Sequence, residues 1–158
     1  MKIRLAKDED CAGMARLHRA TIRSVNSNDY SEDIIEVWSG RTNAKRFRDS
    51  AHKCKRWVAV EKGKIVGFVD HGDDDELWGL YVHKDYVRKG IGGKLLKIAE
   101  NSLKEQGVKT IKIKSTLTAK IFYEKHGYKV VRSTLHPVKD KKLKIYIMKK
   151  TTKGTRPE

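Results

Sequence analysis

The sequence predicts one α/β (α+β) domain built on a mixed, mostly antiparallel central sheet of about seven strands, with helices on both faces. Three observations predict it. The chain has 158 residues, the length of a single domain large enough to bury a real core. Short apolar or alternating runs of strand length recur along it. Stretches with apolar residues at helical spacing lie between them, in the order β-α-α-β-β-β-α-β-α-β-β, which gives a mixed sheet covered on both sides.

Residues 2–5 read as a short first strand. A helix begins at Lys7 or Asp8, where Asp8, Glu9 and Asp10 suit the positive end of the helix dipole. Met14, Leu17, His18, Thr21, Ile22 and Val25 form its apolar stripe. Residues 26–30 are a loop, and Ser31 is placed to cap a short helix carrying Ile34, Ile35, Val37 and Trp38, ended by Gly40. Another short helix covers 43–50. Runs over 56–61 and 64–70 around Lys62 and Gly63 signal a hairpin, and 71–75 reads as a turn. The central strand follows, with Leu77, Trp78, Leu80, Tyr81 and Val82. A long helix then carries Ile91, Leu95, Ile98, Ala99, Ser102 and Leu103 on one face and ends near Gln106, with Gly107 at its C-cap. Residues 110–115 alternate Ile111 and Ile113 with lysines, 118–126 form a helix closed by Gly127, and 128–134 with 143–149 make a final antiparallel pair. The domain is assigned to 1–150. Residues 151–158, without an apolar anchor, are assigned to a flexible tail.

Lysine and arginine number 36 against 20 acidic residues, a formal net charge of +16, and from Lys104 onward basic residues outnumber acidic ones four to one. The acids gather in two other places: Asp29, Glu32, Asp33 and Glu36, then Asp70, Asp73, Asp74, Asp75 and Glu76. The lysines read as a solvated surface; a thermophile's lysine bias or a polyanionic partner would each produce such a surplus. No arginine-rich run or aromatic interleaving of an RNA-binding type occurs, which disfavours nucleic acid. Cys11 and Cys54 are the only cysteines and form no Cys-x-x-Cys, which argues against a disulfide framework or structural zinc and for a reducing cytoplasm. The six histidines show no metal-ligand spacing, so no metal is expected. No apolar run of signal-peptide length opens the chain, and no stretch approaches the ~18–20 apolar residues of a membrane span. A cytoplasmic monomer or homodimer, off the membrane, is expected.

The chemistry concentrates between the central strand and the long helix, at Val87, Arg88, Lys89, Gly90, Ile91, Gly92, Gly93 and Lys94. Glycine lets backbone approach a ligand closely, and the first N–H groups of a helix have no intrahelical partner. With the dipole, that makes a site for phosphate oxygens. A P-loop would need Ser or Thr after Lys94, and a dinucleotide fingerprint a third glycine; Leu95 stands in both places. Taken alone, the glycines fit equally a ligand-free turn before a helix. The stretch resembles the Gln/Arg-x-x-Gly-x-Gly/Ala pyrophosphate loop of the GNAT superfamily of acetyl-CoA-dependent N-acetyltransferases, with Val87 in the Gln/Arg place.

A second segment, Ser115 to Tyr128, resembles the GNAT pattern Asn-x-x-Ala-x-x-Phe-Tyr-Glu-Lys-x-Gly-Phe. Ala119, Phe122, Tyr123, Glu124, Lys125 and Gly127 match it, and Thr116 stands where the family often has Asn. Tyr30, Ser31 and Trp38 resemble the first helical region of one GNAT subgroup. The resemblance implies a GNAT-like fold and direct attack of an amine on the thioester of acetyl-CoA. It implies that Leu80, Tyr81 and Val82 pair with the pantetheine arm, with the Val82 N–H at the thioester oxygen. The loop from Val87 to Lys94 would hold the pyrophosphate, with further contacts from Thr116, Phe122 and Lys125. Tyr123 would donate a proton to the departing thiolate. Glu76 stands in the place of the catalytic glutamate of the histone-acetylating branch, so Glu76, or water, would be the base. By strand alternation Glu76 shares a face with Trp78, Leu80 and Val82. Tyr30, Trp38 and Trp78 would line the pocket for a small-molecule or peptide amine, and the two acidic clusters point to a cationic one. Two other readings stay open: a degenerate CoA-binding GNAT without turnover, suggested by Val87 and Thr116, and a basic nucleic-acid-associated or ribosome-associated module.

Overall fold

In the computed structural model, which describes residues 1–152, seven strands make one sheet. They are β1 (Lys2–Leu5), β2 (Cys54–Glu61), β3 (Lys64–Gly72), β4 (Glu76–Val82), β5 (Thr110–Thr116), β6 (Lys129–Val138) and β7 (Lys141–Thr151), in the order β1-β2-β3-β4-β5-β7-β6. Every neighbouring pair is antiparallel except β4 and β5. The helices are α1 (Cys11–Ser24), α2 (Glu32–Arg41), α3 (Ala44–Ser50), α4 (Ile91–Glu105) and α5 (Lys120–Lys125). The mixed sheet with helices on both faces is the predicted class.

One face of the sheet packs against α4 and α5. Leu95, Leu96, Ala99 and Leu103 bury there against Val69, Leu77, Ile111, Ile113 and Met148. Leu96 and Glu100 widen the stripe read from the sequence, and Ile98 is only half-buried. Glu100 is tolerated because Tyr128 Oη donates to its Oε2 at 2.8 Å and Lys150 Nζ at 3.0 Å. On the other face α1 and α3 bury Met14, Leu17 and Phe47 against Val58 and Phe68, while α2 covers β6 and β7 through Val37 and Trp38.

Several boundaries differ from the sequence reading. Residues 8–10 are a 3-10 turn before α1, held by Asp10, which accepts from the Lys7 N–H at 2.7 Å and from Arg4 at 2.7 and 3.0 Å. Gly40 does not end α2, which runs to Arg41. His71 and Gly72 belong to β3, not to a turn: the His71 ring is fully buried, donating from Nδ1 to the Gly72 carbonyl (2.7 Å) and accepting at Nε2 from Ser102 (2.8 Å). At the far end β7 includes Thr151, and buried Thr152 donates its hydroxyl to the carbonyls of Val108 and Lys109 at 3.1 and 3.0 Å. The polar anchor was invisible to a search for apolar ones. The rest of the expected tail, 153–158, lies outside the described residues. Among those described, no helix is long and apolar enough to cross a membrane.

Candidate active site

The sheet opens at its parallel pair. β4 and β5 are in register at Glu76 with Lys112 and Leu77 with Ile113, and at no later described position. Beyond that point β4 pairs with β3 alone, so the β5-facing backbone groups of residues 79–82 have no strand partner among the described residues. The gap is a cavity of about 500 Å³ that reaches from Gly92, Phe122 and Tyr123 on one side of the sheet to Thr21, Val25 and Asn26 on the other.

A β-bulge sets the geometry of β4. Asp70 pairs with Gly79 and His71 with Leu77, leaving Trp78 without an opposite residue. Strict alternation therefore fails: Leu77 and Leu80, three apart, both join the α4-side core with Val82. The expectation that Glu76 shares a face with Leu80 and Val82 is corrected by this bulge. Glu76 neighbours Leu77 on the strand and projects away from α4. It lies 3.8 Å from Lys114 Nζ and does not line the cavity.

The loop leading into α4 bends sharply. Arg88 has φ 66° and Gly90 φ 80°, both in the left-handed region. For a non-glycine residue such as Arg88 that conformation is held against a cost of about 1–3 kcal/mol, a feature that clusters at ligand sites. The first intrahelical bond of α4 runs from the Lys94 N–H to the Gly90 carbonyl at 3.1 Å. The N–H groups of Ile91, Gly92 and Gly93 are thus free of intrahelical partners at the positive end of a four-turn helix. A Cβ on Gly92 would sit 3.2 Å from the Phe122 ring, so glycine is what keeps α4 and α5 close. Val87, Arg88, Gly90, Gly92 and Gly93 line the cavity, as do Leu80, Tyr81 and Val82. Ile91 is buried beneath it, Lys89 lies over the Tyr86 ring at 5.1 Å, and Lys94 and Lys125 are exposed outside it.

The opposite wall comes from β5 and α5. Thr116 Oγ1 accepts from the Ala119 N–H at 3.2 Å and so stabilises the turn into α5. Tyr123 is 3% exposed, and burial holds its phenol well above the usual range and therefore protonated. Phe122 packs edge-on against it at 5.3 Å. Thr118 Oγ1 is a buried oxygen on this wall with no hydrogen-bond partner among the described residues. His126 donates from Nδ1 to the Phe122 carbonyl at 2.8 Å, which leaves Nε2 toward Gly93, 3.5 Å from where a Cβ would stand. Sequence reasoning missed Thr21, Asn26, Thr118 and His126, because tertiary packing rather than a local pattern brings them to the gap.

The three aromatic residues expected at an acceptor pocket do not all line one cavity, although the Tyr30 and Trp38 rings meet edge-on at 5.7 Å. Tyr30 lines neither the cavity of the gap nor a second one: its hydroxyl accepts from the Leu117 N–H (2.9 Å) and donates to the Lys144 carbonyl (2.6 Å), stapling the β5–α5 connection to β7. Its pKa is pushed up to about 12 by burial. Trp38 and Trp78 both line a second cavity of about 370 Å³ on the α1–α3 side, and Trp78 also lines the first. The indole of Trp78 lies against Gly72, where a Cβ would come within 2.8 Å of Nε1.

A backbone cradle at a helix N-terminus, an open strand edge and a buried phenol across a splayed sheet define a class of protein, the acyl-CoA-dependent acetyltransferases. Residues 26–152 match the family described as the acetyltransferase (GNAT) domain. The chain belongs to that family, and with it to the acetyl-CoA-dependent N-acetyltransferases. It is similar to the spermidine N(1)-acetyltransferase of Thermoplasma acidophilum, with 25% identity over 143 residues, 82% of this chain and 89% of that protein. A GCN5-related N-acetyltransferase structure from Rhodopseudomonas palustris superposes with a TM-score of 0.90 at 26% identity, covering 96% of this chain and 95% of that one. The PaiA N-acetyltransferase of T. acidophilum, solved with coenzyme A, shares the fold with a TM-score of 0.77 at 24% identity, covering 96% and 100%.

Proposed function

We propose that this chain transfers the acetyl group of acetyl-CoA to the primary amine of a small acceptor by direct attack. The observation that carries the reading is the splay between β4 and β5, with the N–H groups of Ile91, Gly92 and Gly93 at one end and Tyr123 within it. Relatives whose structures hold coenzyme A or acetyl-CoA support the cofactor, and a relative named for spermidine supports a small amine.

Bound acetyl-CoA would supply the activated acyl thioester. The N–H groups of residues 91–93 and Arg88 would bind its pyrophosphate. The open edge of residues 80–82 would hold the pantetheine arm as an added strand, and orphaned Thr118 Oγ1 offers it a further polar contact. The Val82 N–H would stabilise charge on the acyl oxygen. The new N–C bond forms as the C–S bond breaks. A primary amine titrates at about 10.4 in water, arrives protonated, and must lose protons on the way. Glu76 would receive them through water, since it stands outside the cavity lining beside Lys114. Tyr123 would meet the departing sulfur. A thiol titrates at about 8.5, below the phenol, so Tyr123 would act mainly as a hydrogen-bond donor to the thiolate, with solvent completing its protonation.

Acetyl-CoA-dependent release of free thiol with a panel of primary amines tests the reading. Acceptor-dependent release is expected. CoA binding without release for any amine would leave a CoA-binding protein, and no CoA binding at all would remove the reading.

A further inference from the structure

The second cavity has a one-sided charge. Among the described residues its one carboxylate is Asp70, and that group is spent: Arg56 Nε donates to Asp70 Oδ2 at 2.9 Å, and both side chains are 6% exposed. Arg56 is spent as well, since its remaining nitrogens donate to the Phe47 carbonyl (2.9 Å) and Ser50 Oγ (3.0 Å). Arg41 and Arg46 also line the cavity and pair with no carboxylate among the described residues. Of the acids near them in sequence, Asp49 is paired with Lys45 and Asp33 lies 3.9 Å from Lys141, while Glu32 and Glu36 lie outside the cavity lining. Two imidazoles in the wall register the resulting field. His18 is held at about 4 by burial and then by Arg46 and Arg19; His136 is lowered by burial and then by Lys114 and Arg41, against an opposing pull from Glu76. Both are neutral near physiological pH and add no compensating negative charge.

The cavity adjoins the reacting one. Trp78 lines both, and the His18 ring stands 4.4 Å from the ring of Tyr81, which lines the first. A molecule with one end in each would put its reactive group beside the bulge of β4.

We propose that this second cavity binds an oxyanion at the far end of the acetyl acceptor, so that the acceptor is an amine that also carries a carboxylate or phosphate, gripped by Arg41 and Arg46. The inference rests on the acetyltransferase reading. Planar guanidinium groups match both oxyanions bidentately, whereas a diamine or polyamine would bring a cation to a cationic wall. The two acidic clusters that suggested a cationic acceptor do not oppose this: of their residues only Asp70 lines either cavity, and it is paired with Arg56.

The test compares acceptors of equal reach: aminopentanoate, aminobutyl phosphate, aminopentanol and cadaverine, in the thiol-release assay. The oxyanion-bearing amines should exceed both others in kcat/KM by about tenfold, and their own order tells carboxylate from phosphate. The R41Q/R46Q variant should raise KM for the preferred oxyanion about tenfold, with kcat, KM for acetyl-CoA and aminopentanol turnover held within about twofold. R46E should shift preference toward cadaverine. Preference of the wild-type protein for cadaverine, or an equal loss for all acceptors in the double variant, overturns the proposal. Calorimetric titration of aminopentanoate and aminobutyl phosphate into both proteins, with and without CoA, gives a readout independent of turnover. Binding of either that needs the two arginines upholds the cavity; no binding of either to the wild-type protein overturns it. Failure of CoA itself to bind counts against the acetyltransferase reading instead.

Discussion

Gly92 opens α4 against Phe122 of α5 and Val82 of β4, beside the gap in the sheet. A Cβ there meets the Phe122 ring at 3.2 Å, and anything larger must enter the space in front of the free N–H groups. Gly92→Val is expected to abolish CoA binding, measured as the loss of the ligand-induced rise in melting temperature. Unchanged binding would remove the loop assignment. Tyr123 makes a different prediction, because in the proposed mechanism its phenol would act only as the thiolate leaves. Tyr123→Phe should lower kcat by about 10- to 100-fold with little change in KM for acetyl-CoA. Wild-type turnover in that variant would remove its role. That the loop and Tyr123 stand together at the cavity was legible from short motifs, since a helix start approached closely by backbone demands glycine. The neighbours Thr118 and His126 were not, because an unpartnered hydroxyl and a ring nitrogen aimed at a helix terminus exist only after folding.

At the scale of elements, the sequence places the seven strands and five helices of the described residues, nearly all through an apolar face that has to be buried; the short helix at 44–50, with Phe47 alone buried, carries no such stripe. Alternation and helical spacing failed at β4, where one unpaired residue changes which side chains share a face. A bulge leaves no period to read, so Glu76 was assigned to the wrong side. They failed again at His71, whose polarity suggested a turn and whose two hydrogen bonds put it in the core. The packing of α1 against β4 carries its own titration. His18 lies between them, with Nδ1 2.9 Å from Thr42 Oγ1, and its native pKa of about 4 is below the ordinary 6.5. As pH falls the unfolded chain takes the proton first. The contribution is full above about 6.5 and is lost between 6.5 and 4, with a limiting slope of about 1.4 kcal/mol per pH unit. His18→Gln, which cannot titrate, should flatten this part of the stability curve in urea unfolding followed from pH 7 to pH 4. Parallel curves for the two proteins would mean that His18 is protonated in the fold at no cost.

The molecule as a whole carries a formal charge of +16, and its two acidic clusters, 29–36 and 70–76, fall outside the loop 87–94. A polyanionic cofactor would be drawn in by that charge. Its association rate should fall steeply as ionic strength rises and the Debye length shrinks toward about 8 Å, while the dissociation rate changes little. Stopped-flow measurement of CoA binding across a salt series checks this; a flat association rate would mean the charge is surface solvation alone. The break between β4 and β5 has a further consequence, in time rather than in space. Residues 79–82 sit in the middle strand of a seven-stranded sheet, yet the side of their backbone turned to β5 is unpaired. Amide hydrogens there should exchange with solvent deuterium as fast as those of an outer strand, in the part of the fold where exchange would otherwise be slowest. A bound pantetheine arm would close that side. The slowing of these few amides, with the flanking strands unchanged, would time each arrival and departure of the cofactor from inside the core.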